Sequence, residues 1–304
     1  MSNEQRATSN ETGSTRREVG KHIVTSVLMP PKGRPQSAVL TGVARISEAF
    51  ARAKSAGHAA FIPYITVGHP DRETVAAVVP ALIEAGADIV ELGVPFSDPL
   101  ADGVVIQRST QAALANGVTL DYCLDEVRSL RRVGVTAPIV FLGYMNPIAQ
   151  KGEEAFAALC AEAGVDGVIV ADLPPEEAGD LRAACARHGV ALIAMLAPTS
   201  TEKRIAQVAA LATGFVYCVG LTGVTGARDA LATDLRGYLD RVRARVSVPI
   251  AVGFGISRPE HVASVGAMAD GVIVGSALVK RLDELPLAER ASGAADFVRW
   301  LMGE

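Results

Sequence analysis

A closed (β/α)8 barrel with one extra helix ahead of it is the fold this chain predicts, on three observations. Short apolar runs rich in β-branched residues recur eight times, at 61–66, 89–94, 138–144, 167–171, 191–196, 215–219, 249–252 and 271–274. The runs are continuous rather than alternating, as expected for strands buried on both faces of a parallel sheet. Each ends in small, polar or proline residues before an amphipathic stretch, and run starts lie roughly 22 to 50 residues apart, the size of a β-α repeat. An open doubly wound sheet shows the same alternation, but no G-x-G-x-x-G follows the first run.

In chain order, residues 1–42 are rich in Ser, Thr, Arg and Glu and predict a disordered tail. The apolar stretch 23–29 is a poor signal, since hydroxyls interrupt it and Pro30 and Pro31 follow. The barrel domain is expected over 43–304. Ile46, Phe50 and Ala53 predict a helix before the first strand, placed to plug the bottom of the barrel. A helix at 72–85 carries apolar residues at 75, 76, 78, 79, 82 and 83, and one at 153–163 carries Phe156, Ala157, Leu159 and Cys160. Pro175, Glu176 and Glu177 read as a helix start with acids at its positive end. The hydroxyls of 199–201 supply a cap ahead of Glu202. The stretch 287–302 reads as the last outer helix, with Trp300 packed under it.

Composition agrees. A chain of 304 residues with 49% hydrophobic and 20% charged residues can bury a large core. Length alone suggests two domains at about 150 residues each, but α/β barrels reach this size as one. A net charge of −4 speaks against a nucleic-acid-binding surface. Cys123, Cys160, Cys185 and Cys218 show no C-x-x-C spacing, and free thiols fit a reducing cytosol. No apolar run is long enough for a membrane helix.

Barrel enzymes place their chemistry at the C-terminal ends of strands. Glu91 stands there among apolar residues of the second strand. A carboxylate buried there should have its pKa raised toward the range useful for acid-base work. Asp98 and Asp102 follow in a loop rich in Pro, Ser and Gly, where turn formation is the plainer explanation for Asp98. Glycine segments close the late strands at 220–226, 253–255 and 275–276. Glycine lets backbone N–H groups approach an anion, and the loops after strands seven and eight are this fold's usual phosphate cradle. No P-loop motif occurs, so the phosphate is expected on a small substrate. No lysine lies inside a strand run, which disfavours a Schiff base. Of five histidines, His69 alone lies near a strand's C-terminal end, too few for a metal site. Metal-free acid-base chemistry on a small phosphate ester remains.

At this point a resemblance is plain. VELGVPFSDPLADG at 90–103 resembles the signature of the tryptophan synthase alpha chain family, as do FIPYITVGHP at 61–70 and YMNP at 144–147. The segments 215–226, GFGIS at 253–257 and Gly275-Ser276 match too, so the resemblance spans about residues 43 to 302. It implies a TIM barrel lyase of tryptophan and aromatic amino-acid biosynthesis, cleaving indole-3-glycerol phosphate to indole and glyceraldehyde 3-phosphate. By motif position, Glu91 looks like the general acid-base. Asp102 looks like the carboxylate that hydrogen-bonds the indole N–H. The family's indole slot maps onto Tyr64, Leu142, Tyr144, Ile169 and Phe254. Its phosphate and loop contacts map onto Tyr217, Thr225, Gly226, Gly255, Gly275 and Ser276. Tyr64 departs from a common phenylalanine and Leu221 from an arginine of some members. The resemblance implies no cofactor in this chain. Pyridoxal phosphate is expected in a partner beta chain, in an alpha2-beta2 heterotetramer contacted through Asp98, Pro99, Asn146, Pro147 and Pro174. A cytoplasmic location is expected. The alternatives are a non-catalytic subunit that activates a beta chain, or another phosphate-binding barrel enzyme of the same pathway.

Overall fold

The computed structural model describes residues 40–220, 228–253 and 255–304. In chain order its elements are α1 (Gly42–Ser55), β1 (Ala60–Thr66), α2 (Thr74–Glu84), β2 (Val90–Gly93), α3 (Val104–Ala115), α4 (Leu120–Arg132), β3 (Ile139–Gly143), α5 (Met145–Lys151), α6 (Glu153–Ala163), β4 (Gly167–Val170), α7 (Gly179–His188), β5 (Ala191–Leu196), α8 (Glu202–Leu211), β6 (Val216–Val219), α9 (Arg228–Arg243), β7 (Ile250–Gly253), α10 (Pro259–Gly266), β8 (Gly271–Val274), α11 (Ser276–Asp283) and α12 (Leu287–Met302). The eight strands pair in sequence order, and β8 closes on β1 in parallel. The expected barrel is therefore present.

Strand parity sorts the side chains into two layers. Phe61, Ile65, Val90, Leu92, Ile139 and Phe141 point outward into the apolar layer under the helices. Ala60, Ile62, Ile89, Val140, Ile169, Ile193, Phe215 and Ile273 point inward. The inner layer is sealed from below by Ile46, Ala49, Phe50 and Ala53 of α1, the expected plug. Phe50 meets Phe215 with ring centroids 5.5 Å apart. Thr41 caps α1 by accepting from the Ala44 amide at 3.3 Å. Gly42 has to be glycine, because a Cβ there would sit 2.2 Å from the Asp166 carbonyl oxygen.

Asp166 fastens this lower end. One carboxylate oxygen accepts from Arg45 of α1. The other accepts from Arg131 at 2.5 Å and from the Ile139 amide at 2.7 Å. Arg131 also donates to the carbonyls of Gly164, Val135 and Ala137, each bond 2.8 Å.

Local differences from the sequence reading have physical causes. The stretch 175–177 is a turn, with Glu177 and Ala178 amides bonded to the Pro174 and Pro175 carbonyls at 3.0 and 3.4 Å. The helix starts at Gly179 instead, and Glu176 accepts from Arg204 of α8 at 2.6 Å. Trp300 is 46% exposed and stacks on Phe297 of its own helix, while Val298 and Leu301 take the buried positions. It is not packed underneath. Thr201 is the cap of α8, accepting from the Arg204 amide. All four cysteines are buried free thiols. Residues 1–39 of the expected tail lie outside the described residues.

Candidate active site

Inward parity carries the sequence's leading candidate into the barrel. Ile89 belongs to the inner layer and Val90 and Leu92 to the outer one, so Glu91 faces inward. It pairs in register with Tyr64 of β1 on one side and Val140 of β3 on the other. Glu91 is 1% exposed, and its Oε2 has no hydrogen-bond partner among the described residues. Burial, reinforced by the nearby Asp102 charge, pushes its pKa up to about 8. A buried carboxyl without a partner is costly to the fold, so its retention needs a reason outside stability.

Asp102 sits just before α3. The loop ahead of it is built from short internal bonds, Leu100 N–H to Asp98 O at 2.9 Å and Asp102 N–H to Pro99 O at 3.1 Å. Tyr144, after β3, holds the loop from the side. Its hydroxyl accepts from the Ala101 amide at 3.1 Å, and its ring stacks on Phe96 at 5.2 Å. Burial pushes the Asp102 pKa up to about 6, against the opposing effect of the Tyr144 hydroxyl. The two carboxyls are thus set apart, one protonated and one ionised near neutrality.

Glu91 and Asp102 share a cavity of about 290 Å³ with Tyr64, Leu142, Tyr217, Gly255, Gly275 and Ser276. That volume is at the small end for ligand sites. Tyr64 and Tyr217 are each seated over a strand-end glycine. A Cβ at Gly93 would meet the Tyr64 hydroxyl at 2.1 Å, and one at Gly253 would meet the Tyr217 hydroxyl at 2.3 Å. Gly255, at a φ of +69°, and the start of α11 at Ser276 form the other end, where backbone N–H groups suit an anion.

The remaining candidates are distributed as follows. Tyr144 braces the loop and is not in the cavity lining. Ile169 is 1% exposed within the inner apolar layer, below the lining rather than in it. Phe254, Thr225 and Gly226 lie outside the described residues, as does Leu221. Met195, Ile106 and Ile273 line the cavity and were not singled out. Met195 shares its parity with the inward-facing Ile193, a signal the sequence did carry. Asp98 and Pro99 follow β2, Asn146 and Pro147 follow β3, and Pro174 follows β4, so they occupy one sector of the rim. Leu100 is 92% exposed in that sector, the most exposed large apolar side chain among the described residues. His69 is buried outside the cavity, with Nε2 2.8 Å from Asp283 but poorly aligned for a hydrogen bond.

A larger open groove of about 1170 Å³ lies at the opposite end of the barrel, beside Lys54, His58 and Arg243. No unpartnered buried carboxyl enters it among the described residues, so size does not make it the reacting site. Among those residues no three His, Cys, Asp or Glu side chains cluster to hold a metal, and no helix is long and apolar enough to cross a membrane.

The family model described as tryptophan synthase alpha chain matches residues 50–299. A tryptophan synthase alpha chain of Roseiflexus sp. is 52% identical over 261 residues, covering 86% of this chain and 100% of the relative. One from Chloroflexus aurantiacus is 52% identical over 260 residues, covering 86% and 98%. The crystal structure of tryptophan synthase subunit alpha from Legionella pneumophila superposes with a TM-score of 0.79 at 35% identity, covering 86% of this chain and 97% of that one. The chain belongs to the tryptophan synthase alpha chain family.

Proposed function

We propose that Glu91 and Asp102 carry out the alpha reaction of tryptophan biosynthesis, which this chain catalyses as a member of its family. In that reaction indole-3-glycerol phosphate is cleaved to indole and glyceraldehyde 3-phosphate. The observation that carries the residue assignment is the buried Glu91 carboxyl, its Oε2 without a hydrogen-bond partner among the described residues, facing the same cavity as Asp102.

The chemistry divides naturally between them. Carbon–carbon cleavage is blocked while the indole ring is aromatic. Glu91, protonated near neutrality, donates its proton to the ring carbon that bears the glycerol chain. The positive charge that develops at the ring nitrogen is stabilised by the ionised Asp102 through a hydrogen bond from N–H. Glu91, now a carboxylate, takes the proton from the adjacent side-chain hydroxyl. The carbon–carbon bond breaks, its electron pair restores the aromatic ring, and the hydroxyl carbon becomes the aldehyde of glyceraldehyde 3-phosphate. One group thus serves as acid and then as base. Leu142, Met195 and Ile273 give the ring an apolar wall, while Gly255, Gly275 and Ser276 receive the phosphate at the start of α11. Every step uses side chains of this chain and needs no cofactor. Residues 43–304 form the catalytic domain in this reading.

The rim sector of Asp98, Pro99, Asn146, Pro147 and Pro174 is the proposed contact with a beta chain that carries pyridoxal phosphate. The assembly is an alpha2-beta2 heterotetramer in the cytoplasm. Indole is small and apolar, so direct transfer to a partner prevents its loss. The test is release of glyceraldehyde 3-phosphate from indole-3-glycerol phosphate, with and without a beta chain. Slow turnover that rises with the partner supports lyase and interface together. Turnover indifferent to the partner removes the interface, and no turnover in either case removes the lyase.

A further inference from the structure

We infer that Thr66 and Ser109 are positioning residues that hold the proton of the Tyr64 hydroxyl out of the catalytic cavity, so that the phenol oxygen turns only lone pairs toward it. The inference rests on the roles proposed above for Glu91 and Asp102. It follows from a row of three buried hydroxyls. Ser109 Oγ lies 2.8 Å from the Ile106 carbonyl, which can only accept, so Ser109 donates there. Ser109 has no second proton, so across the 2.7 Å contact Thr66 must donate to Ser109. Thr66 is then also spent, and across 3.0 Å Tyr64 must donate to Thr66. The chain of hydrogen bonds has one direction, fixed by the carbonyl at its far end.

The near end lies among charges. The groups facing the phenol are Glu91 from β2, Asp102 from the loop before α3, Tyr144 after β3 and Tyr217 from β6. Of these Asp102 acts on the phenol most strongly, and burial with both carboxylates drives its ionisation far up. A hydroxyl proton turned into this space would bring the positive end of its dipole toward Asp102, the carboxylate that acts on the phenol most strongly, and so favour the ionised form. With that proton committed to Thr66, Tyr64 offers the carboxyls nothing that favours ionisation. The same row ties β1 to the first turns of α3, two residues beyond Asp102.

The test is Thr66→Val, which keeps the side-chain shape and removes the acceptor for the Tyr64 proton. The Asp102 carboxyl carbon is titrated by 13C NMR in the ligand-free enzyme, assigned with Asp102→Asn, and the acid limb of kcat is followed in parallel. Freed from Thr66, the hydroxyl turns into the cavity, and the Asp102 pKa falls by about one unit or more. The shift vanishes in the double variant Tyr64→Phe with Thr66→Val, and Thr66→Ser, which keeps the hydroxyl, titrates as wild type. An unmoved titration in Thr66→Val, or the same shift with phenylalanine at 64, overturns the inference. A shift in the NMR titration that the kcat limb does not follow upholds the inference and removes Asp102 from catalysis instead.

Discussion

Glu91 and Asp166 are both carboxylates sealed inside the same barrel, and their surroundings are opposite. Asp166, at the lower end, is fully buried and accepts from Arg45, Arg131 and the Ile139 amide. Glu91, near the upper end, is 1% exposed and leaves one oxygen without a partner among the described residues. Burial raises the pKa of both, but at Asp166 the two guanidiniums and the amide oppose it. The lower carboxylate spends its hydrogen-bonding capacity on holding elements together. The upper one keeps its capacity free, which is what proton transfer to a passing ligand requires.

Substitutions can break this contrast. Glu91→Gln should lower kcat by roughly 10³-fold or more and yet leave a better-folded protein. The sign follows from linkage: Glu91 is held at about 8 when folded against an ordinary 4.5. Its protonated form therefore favours folding at low pH, and that advantage is lost as pH rises toward 8. Urea unfolding should find Glu91→Gln more stable than wild type at pH 8, by about 4 kcal/mol, with the gap narrowing to under about 1 kcal/mol at pH 5. Equal midpoints at both values would remove the argument that Glu91 is a burden on the fold.

Asp166→Asn should show the reverse. It leaves Arg45 and Arg131 facing an uncharged group, and denaturation should report a loss of about 3 kcal/mol. The folded fraction should keep kcat within about threefold, since this site lies outside the catalytic cavity. Next in size is Gly93→Ala. Its methyl would press on the Tyr64 hydroxyl, costing about 1–3 kcal/mol with a fall in kcat greater than that of Gly179→Ala, where a Cβ meets nothing within 4 Å. The pH profile of kcat sharpens the contrast further. Asp102 must be ionised and Glu91 protonated, so the limbs should lie near about 6 and about 8. A profile flat from pH 5 to 9 would contradict the division of roles. The smallest effect is expected at the exposed Lys151–Asp121 pair, 2.7 Å apart. There Lys151→Ala should change stability by less than about 0.5 kcal/mol.

The fold was legible in the sequence because buried parallel strands leave continuous apolar runs. The runs at 191–196 and 271–274 coincide with β5 and β8, and 153–163 and 287–302 with α6 and α12. The misplaced start of α7 shows the limit. Pro175 and two acids make a sound helix opening locally, but the backbone turns and Glu176 finds Arg204 some 28 residues away. Trp300 shows the same limit, since size alone does not decide which face of a helix is buried. Within the site, Glu91 could be read because a carboxylate in an apolar strand is anomalous. Thr66 and Ser109 could not, because hydroxyls 43 residues apart give no sequence sign that they touch. Neither could Asp166, which stands between Gly164 and the first residue of β4 with no local anomaly to mark it.

The plug under the barrel also imposes an order on synthesis. α1 is made early, but its anchor, Asp166, lies 121 residues beyond Arg45. At roughly 5 to 20 residues per second, the helix waits about 6 to 24 s for its partner to be translated. Throughout that interval Ile46, Ala49, Phe50 and Ala53 have no barrel floor to cover. The nascent chain thus presents the short apolar face of α1 ahead of the strands it will cover, a natural point of attachment for a chaperone until the fourth strand emerges.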